Sequence, residues 1–254
     1  MIGLVSLVGA GPGDPELLTR RAERRLAEAD IVLYDALVCL DVLALASGAH
    51  RFFVGKRAGR PSIAQETIHR LMIRWALRGK RVVRLKCGDP FVLGRGGEEA
   101  LALAAAGIPF EIVPGLTTAV AAPALSGIPV THRGVASGFL VISGHSDTAY
   151  RPILEALPAG SVTLVVLMGL ASRGALAKLL LTRGWPESTP AAVCIAGGTA
   201  EAWTWVGTLD VLGAAPIVTG AAGTIVIGQV VTIGTVLSAA VSLDSYPNAA
   251  HQAV

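Results

Sequence analysis

The chain has 254 residues, of which 52% are hydrophobic and 15% charged, and its mean hydropathy is +0.61. This composition excludes a disordered chain, and the length suffices for one large domain or two packed ones. Residues 211–243 carry no charge, which raises the question of a membrane span. Glycines and a proline interrupt this stretch, and its Val, Ile and Thr clusters favour strands, so we predict that it does not cross a membrane.

The cysteines, histidines and charged residues indicate which sites and ligands to expect in this protein. Cys39, Cys87 and Cys194 are far apart and odd in number, and the five histidines lack ligand spacing, so we expect neither disulfides nor a metal site. The net charge is +3, and only four of the 21 basic residues are lysines. Arginine pairs with carboxylates and phosphates, which favours a small polyanionic ligand over nucleic acid, although genomic composition also raises arginine content. The first residues lack a basic signal-peptide start, so we expect a cytoplasmic protein.

Periodicity predicts alternating strands and helices in the first part of the chain. Strands are predicted at residues 2–8, 31–34, 51–54, 81–85 and 110–113. Helices are predicted at residues 16–29, from a capping box at Ser62 and Gln65 onward, and at residues 98–106. Asp14 is expected to cap the first helix, with Pro15 at its first position. This alternation is typical of a parallel sheet with helices on both faces.

The pattern changes after Pro114 and Gly115. A short helix is predicted at residues 117–124, followed by strands at 139–142, 162–167, 192–195, 203–206 and 224–233, with a helix at 176–181. These strands follow one another more directly, which indicates a mixed, partly antiparallel sheet. We therefore predict an α/β protein with domains at residues 1–115 and 116–244 and a disordered tail at residues 245–254.

Two glycine-rich loops follow predicted strands, where open α/β sheets bind ligands. The loop at residues 9–15 fails the dinucleotide fingerprint because Asp14 stands where the third glycine is needed, and an ordinary strand–helix turn remains an alternative. In the loop after residue 86, Asp89 could accept hydrogen bonds from ligand hydroxyl or amine groups. Glu98 and Glu99 are expected only to complement the dipole of the next helix. Two such loops predict a ligand-binding cleft.

Six segments carry a family resemblance in chain order. They are VGAGPGDPELLT at residues 8–19, LYD at 33–35, VGKR at 54–57, VVRLKCGDPFVLGRGGEE at 82–99, VPG at 113–115 and GIPVTHR at 127–133. Together they resemble the tetrapyrrole methylase family, and within it the uroporphyrinogen-III C-methyltransferases, from about residue 4 to residue 236. The resemblance implies two α/β domains with the active cleft between them, a homodimer and S-adenosylmethionine as methyl donor. It also implies methylation of uroporphyrinogen III at C2 and C7, through precorrin-1 to precorrin-2, for cobalamin and sirohaem synthesis.

The same resemblance implies roles for individual residues. Asp35 would accept a proton and Lys56 would donate one. Contacts with S-adenosylmethionine, or with its product S-adenosylhomocysteine, are assigned to Pro12, Cys87, Gly88, Asp89, Val92, Thr117, Thr118, Met168, Gly197 and, more weakly, Thr224. From spacing alone, Asp35 would instead be a helix cap, Lys56 a solvated turn residue and Met168 a core residue.

Two further expectations concern substrate recognition and an unusual residue. Arg57, Arg95 and Arg133 flank loops that face the expected cleft, so we predict that they pair with the carboxylates of the macrocycle, assisted by His132. The family usually has glycine where this chain has Cys87. We expect Cys87 to be tolerated because backbone atoms hold the cofactor there, provided that its φ is negative.

Several alternatives remain open at this point. They are a methylase of a later precorrin, a diphthine synthase, a non-catalytic tetrapyrrole carrier and a nicotinamide-dependent oxidoreductase. The segment at residues 127–133 and the Lys56–Arg57 pair favour the uroporphyrinogen enzyme. Asp35 and Lys56 argue against a carrier, and Asp14 argues against the oxidoreductase. We expect neither nucleic acid nor membrane as a partner.

Overall fold

The computed structural model describes residues 1–55, 63–218 and 220–240, with side chains as far as residue 237. The chain separates into two compact units. The first comprises Met1–Ala122, Ile195–Ala202 and Ile217–Ala222, and the second Pro123–Cys194, Trp203–Pro216 and Gly223–Val254. The predicted division after residue 115 differs from this one. Two segments distant in sequence pack with the first unit, and local periodicity cannot predict that the chain returns to an earlier unit. The predicted tail at residues 245–254 lies outside the described residues.

The first unit is built on a five-stranded sheet. Its strands are β1 Val5–Gly9, β2 Ile31–Tyr34, β3 His50–Phe53, β4 Val82–Lys86 and β5 Phe110–Val113. They lie in the order β3-β2-β4-β1-β5, and the four pairings are parallel, as predicted. The helices along this part of the chain are α1 Arg20–Ala27, α2 Leu40–Ala44, α3 Gln65–Leu77, α4 Gly96–Ala105 and α5 Thr118–Leu125.

Helices cover both faces of this sheet, so β1 and β4 are buried along their whole length. On one face, Val8, Val83 and Leu85 belong to a core with residues of α1 and α2. On the other face, Leu7, Leu33 and Val82 belong to a core with residues of α3 and α4. Side chains alternate along a strand, so Arg84 and Lys86 of β4 project to the same face as Val82. This strand therefore carries two cations into a hydrophobic layer.

The second unit has a mixed sheet. Its strands are β6 Phe139–Ser143, β7 Thr163–Leu167, β8 Pro190–Ile195, β9 Trp203–Thr208 and β10 Gly223–Ile227, in the order β6-β7-β10-β8-β9. β6 runs parallel to β7, whereas β10 runs antiparallel to it, which confirms the predicted mixed pairing. The helices of this part are α6 Asp147–Ala156, α7 Arg173–Thr182 and α8 Val230–Ala240. Within the described residues, no helix is long and apolar enough to cross a bilayer.

Two local predictions were wrong. The helix predicted at residues 16–29 consists of a 3₁₀ turn, Pro15–Leu17, and α1, because Thr19 forms a new N-cap by accepting from the Ala22 amide. Asp14 caps the 3₁₀ turn as expected, at 2.8 Å from the Glu16 amide. The strand predicted at residues 224–233 ends at Ile227, because Gly228 has a φ of 143° and the chain then enters α8.

The helix predicted after residue 62 is confirmed as α3, which begins at Gln65 with Ala64 at its N-cap. The side chain of Ala64 cannot accept a hydrogen bond, and Ser62, the predicted cap, lies outside the described residues. α2 and α6 were not predicted, since α2 has only five residues and α6 contains Pro152.

Candidate active site

The carboxyl ends of β1, β4 and β5 meet through main-chain atoms. A Cβ at Gly9 would lie 2.6 Å from both the Gly88 oxygen and the Gly115 Cα, and one at Gly115 would lie 2.3 Å from the Gly88 oxygen. Gly11 and Gly88 exchange two backbone hydrogen bonds with N–O distances of 3.2 and 2.7 Å. Glycine allows this approach because it has no Cβ. Main-chain atoms of the three loops therefore pack directly on one another, and we call Gly9, Gly11, Gly88 and Gly115 the glycine layer.

Asp89 holds two of these loops together. Its Oδ2 accepts from the Gly115 amide at 3.0 Å, and its Oδ1 accepts from the Phe91 amide at 2.8 Å. The sequence offered Asp89 as an acceptor for ligand donors, whereas its carboxylate already binds two backbone amides. Each oxygen retains a second acceptor site, so this structural role is compatible with a ligand contact.

Several predicted cofactor residues lie in the first unit near this layer. A Cβ at Gly88, where φ is 68°, would lie 3.4 Å from the Thr118 amide. A Cβ at Gly198, which follows Gly197, would lie 2.8 Å from Pro12. Thr117 accepts from the Ala119 amide at 3.3 Å. The first unit thus contains Pro12, Cys87, Gly88, Asp89, Val92, Thr117, Thr118 and Gly197, whose cofactor contacts stay predictions.

Cys87 follows β4 directly. Among the described residues, the non-glycine residues with positive φ are Leu93, Arg95, Met168 and Ala196, which confirms that Cys87 avoids this backbone region. Its Sγ lies 3.8 Å from the Gly11 oxygen. Burial and, to a smaller extent, the charge of Asp35 raise the pKa of the Cys87 thiol to about 11. The thiol is therefore protonated at neutral pH and is a poor nucleophile.

Two cations and two carboxylates form a buried charge cluster beside the glycine layer. Arg84 donates from Nη2 to Asp35 Oδ1 at 2.6 Å and from Nε to Glu99 Oε1 at 2.9 Å. The Lys86 ammonium lies 3.3 Å from Glu99 Oε1 and 3.5 Å from Asp35 Oδ2. Gln65 of α3 donates to the same Glu99 oxygen at 2.9 Å. We call Asp35, Arg84, Lys86 and Glu99 the charge cluster.

The charge cluster contains two cations and two carboxylates, so its positive and negative charges are equal in number. The side chains of Arg84, Lys86 and Glu99 are 2%, 5% and 0% exposed, and that of Asp35 is 29% exposed. Burial acts to lower the pKa of Arg84, but Asp35 and Glu99 more than offset it, so this pKa is raised above its ordinary value. The prediction that Glu99 only complements a helix dipole is wrong, because its carboxylate is turned inward onto Arg84 and Lys86. Glu98, in contrast, is exposed and pairs with Arg95.

Asp35 comes directly after β2 at the carboxyl edge of the sheet. The helix-cap interpretation of this residue is wrong, because Cys39 occupies the N-cap of α2 and the Asp35 carboxylate binds Arg84 instead. Lys56, its predicted partner in proton transfer, lies outside the described residues, as does Arg57. The described part of the chain contains no group of three His, Cys, Asp or Glu side chains that could hold a metal ion.

The remaining predicted site residues have different environments. Arg95 is exposed, and its guanidinium binds Glu98 at 2.9 and 2.6 Å. His132 and Arg133 lie in an exposed turn of the second unit, closed by two backbone hydrogen bonds between His132 and Ala136.

Met168 and Thr224 also belong to the second unit. Thr224 is buried, whereas Met168 is 51% exposed with a φ of 57°, so the interpretation of Met168 as a core residue is wrong.

Sequence reasoning missed Arg84, Lys86 and Glu99 as parts of the site. A signal was present, because Arg84 and Lys86 stand two residues apart in a short apolar segment of a sheet predicted to be covered on both faces. Two cations that project to one covered face require buried anions. The pairing with Asp35 and Glu99 could not be predicted from the sequence, because it depends on the strand order.

The sequence model of the tetrapyrrole (corrin/porphyrin) methylase family matches residues 4–213 of this chain. The chain belongs to this family. Its members take their methyl group from S-adenosylmethionine. A siroheme synthase from Yersinia enterocolitica is 46% identical over 233 residues, which are 91% of this chain and 49% of that protein. A siroheme synthase from Baumannia cicadellinicola is 45% identical over 235 residues, 91% of this chain and 51% of that protein. The tetrapyrrole methylase chain described here thus spans about half the length of these curated relatives.

Solved structures of other tetrapyrrole methylases are similar to this chain. Native uroporphyrin III C-methyl transferase from Thermus thermophilus is 43% identical with a TM-score of 0.78, over 91% of this chain and 100% of that chain. The same values hold for the Thermus protein complexed with S-adenyl homocysteine. A cobalt precorrin-4 methyltransferase is 28% identical with a TM-score of 0.79, over 89% of this chain and 95% of that chain.

Proposed function

We propose that this chain transfers methyl groups from S-adenosylmethionine to C2 and C7 of uroporphyrinogen III, through precorrin-1 to precorrin-2. The 43% identity to the Thermus enzyme over that protein's whole length supports this assignment. The observation that carries it is the Asp35 carboxylate, held by buried cations beside the glycine layer at the edge of the first sheet. The proposal includes a homodimer and a role in sirohaem or cobalamin synthesis.

The glycine layer positions the loops that would hold the methyl donor. Because Gly9, Gly88 and Gly115 have no Cβ, the loops after β1, β4 and β5 pack on one another through main-chain atoms. The predicted donor contacts of the first unit lie in or next to these loops. Residues 12, 87–89, 92, 117–118 and 197 would hold the donor, and the family resemblance adds Met168 and Thr224 to the proposed contacts. When bound, it supplies a methyl group made electrophilic by the adjacent sulfonium.

The chain's own residues then bind the macrocycle and move a proton. Carbon methylation leaves a proton to be removed, and an aspartate carboxylate is an acceptor at neutral pH. Asp35 performs this step, and Lys56 donates a proton where one is required. Arg57, Arg95 and Arg133 bind substrate carboxylates with assistance from His132, since charge-assisted pairs of this kind are the strongest hydrogen bonds available to a side chain. For Arg95, binding the substrate means exchanging its pair with Glu98.

The test is an anaerobic incubation of the purified chain with S-adenosylmethionine and uroporphyrinogen III, followed by mass analysis. We expect a product with two added methyl groups and the matching amount of S-adenosylhomocysteine. A second incubation uses a cobalt-precorrin-4 substrate, because the structural likeness to the methylase of that compound makes a later precorrin the second candidate. Methylation of the later precorrin alone would overturn the assignment.

A further inference from the structure

We propose that Arg84, anchored by Glu99, is a positioning residue that fixes the orientation of the Asp35 carboxylate for proton transfer. This inference rests on the proposed function, because it assigns Arg84 a part in the same reaction. Arg84 is buried on β4, so its contacts with Asp35 and Glu99 define its role.

The contacts of Arg84 use every nitrogen of its guanidinium. Nη2 donates to Asp35 and Nε to Glu99, while Nη1 donates to the carbonyl oxygens of Leu33 and Leu85, both at 3.3 Å. A planar group with acceptors on all three nitrogens has one orientation. The 2.6 Å contact with Asp35 Oδ1 therefore has a fixed direction.

Glu99 supplies the opposite anchor. Its Oε1 accepts from Arg84 and Gln65 and lies 3.3 Å from Lys86, so α3, α4 and β4 converge on one oxygen. Its Oε2 is buried without a hydrogen-bond partner among the described residues. An anion this deeply buried is retained only where it is paired, and here its partners are the two cations that face Asp35.

Asp35 itself needs such support. It lies just beyond the end of β2, where its own strand pairing no longer holds the chain, and it is the most exposed member of the charge cluster. Arg84 and Lys86 lie on the neighbouring strand β4, which pairs with β2 from Ile31 to Tyr34. Rates of proton transfer depend steeply on the placement of the acceptor. The bond from Arg84 thus fixes the Asp35 carboxylate, at the edge of the sheet, relative to the central strand β4.

The test is a double-mutant cycle of Arg84→Lys and Asp35→Asn, with kcat, KM and the Kd of S-adenosylhomocysteine measured for each variant. Lysine keeps the charge but donates from one nitrogen, so it cannot reproduce the fixed geometry in which separate nitrogens of Arg84 bind Asp35 and Glu99. We expect Arg84→Lys to lower kcat by about 10- to 100-fold, with a Kd changed by less than about twofold. In the Asp35→Asn background, the same substitution should lower kcat by less than about twofold, because residues that act as a unit are not additive.

Arg25→Lys is the matched control, because Arg25 also pairs with two carboxylates, Glu28 and Glu111, away from the charge cluster. Its kcat should equal that of the wild type. If Arg84→Lys does not fold, Glu99→Gln replaces it in the cycle, since it keeps the size of the side chain but weakens the charge-assisted bond that anchors Arg84. The same non-additive pattern is then expected.

Two outcomes overturn the inference and are distinguishable. Additive losses of kcat in the cycle, while the wild type methylates uroporphyrinogen III, overturn the positioning role and leave the proposed function intact. A wild type that binds S-adenosylhomocysteine but does not methylate uroporphyrinogen III overturns the proposed function, and the positioning role with it.

Discussion

Asp35 is the residue on which the proposed chemistry depends most directly. Asp35→Asn keeps the size of the side chain and removes its basicity. A placed general base contributes about 10²- to 10⁴-fold to rate, so kcat should fall by about that factor. The Kd of S-adenosylhomocysteine should stay nearly the same, because the role proposed for this carboxylate, which pairs with Arg84 and Lys86, is proton transfer and not cofactor binding. Wild-type turnover in this variant, measured by product formation, would mean that another group takes the proton.

Cys87 provides a test of the proposal that backbone atoms hold the cofactor at this position. Its φ is not positive and its Sγ contact with Gly11 is long, so a glycine at this position relieves no strain. We expect Cys87→Gly to change the Kd of S-adenosylhomocysteine by less than about threefold and to lower the free energy of unfolding by about 0.5–1 kcal/mol, through the greater freedom of the unfolded chain. Calorimetric titration and denaturant unfolding measure the two values. A large gain in affinity would show that the cysteine obstructs the site.

At the scale of elements, the contact of three loops depends on glycines. In Gly9→Ala the new Cβ would lie 2.6 Å from main-chain atoms of Gly88 and Gly115, which cannot give way as a flexible side chain does. We expect the free energy of unfolding to fall by about 1–3 kcal/mol, together with a weaker affinity for S-adenosylhomocysteine.

Gly97→Ala is the matched control for Gly9→Ala. Gly97 lies in the first turn of α4, and a Cβ there meets no heavy atom within 4 Å. Because alanine favours helix, this variant should be neutral or more stable by up to about 1 kcal/mol in the same unfolding experiment. Equal destabilisation of both variants would contradict a specific role for the Gly9 contact.

A polar contact joins β1, α1 and β5, and it predicts a pH dependence of stability. Glu111 accepts from Ser6 at 2.7 Å and pairs with Arg25. Burial acts to raise the pKa of Glu111, but hydrogen bonds from Arg25 and Ser6 outweigh it, so this pKa lies below the ordinary value of 4.5. A lowered pKa in the folded state gives stability that is present above about pH 4.5 and is lost as the pH falls through the folded-state value.

Glu111→Gln measures this contribution. The wild type should be more stable than the variant by about 1 kcal/mol at pH 7, a modest value because both partners are partly exposed. The difference should shrink steadily below pH 4.5, as followed by denaturant unfolding across the acid range. A difference that stays constant down to pH 3 would contradict the ion pair.

The elements also show what could be predicted from the sequence. The alternation of apolar segments and glycine turns identified the parallel sheet and the loops at its carboxyl edge, because that pattern is local. The end of β10 was missed because α8 is as apolar as the strand before it, and periodicity separates such segments poorly. The pairing of Arg84 with Asp35 and Glu99 could not be predicted from the sequence, because it depends on the order of the strands in the sheet. Roles for Asp35 and Lys56 came from family resemblance alone.

For the whole molecule, the chain has two α/β units and belongs to the tetrapyrrole methylases, yet it spans about half the length of the siroheme synthases it matches. The activity proposed for this chain is therefore methyl transfer, the activity in the name of the Thermus protein, whose whole length this chain covers. The positions methylated on the macrocycle distinguish this reaction from methylation of a later precorrin.

The most direct test of the central claim is the position of the transferred carbon. The chain is incubated anaerobically with uroporphyrinogen III and S-adenosylmethionine labelled with ¹³C at the methyl group, and the product is examined by nuclear magnetic resonance. We expect two labelled methyl groups, at C2 and C7, that appear with the wild type and are strongly reduced with Asp35→Asn. Label at any other carbon, or no label in the macrocycle, would contradict it.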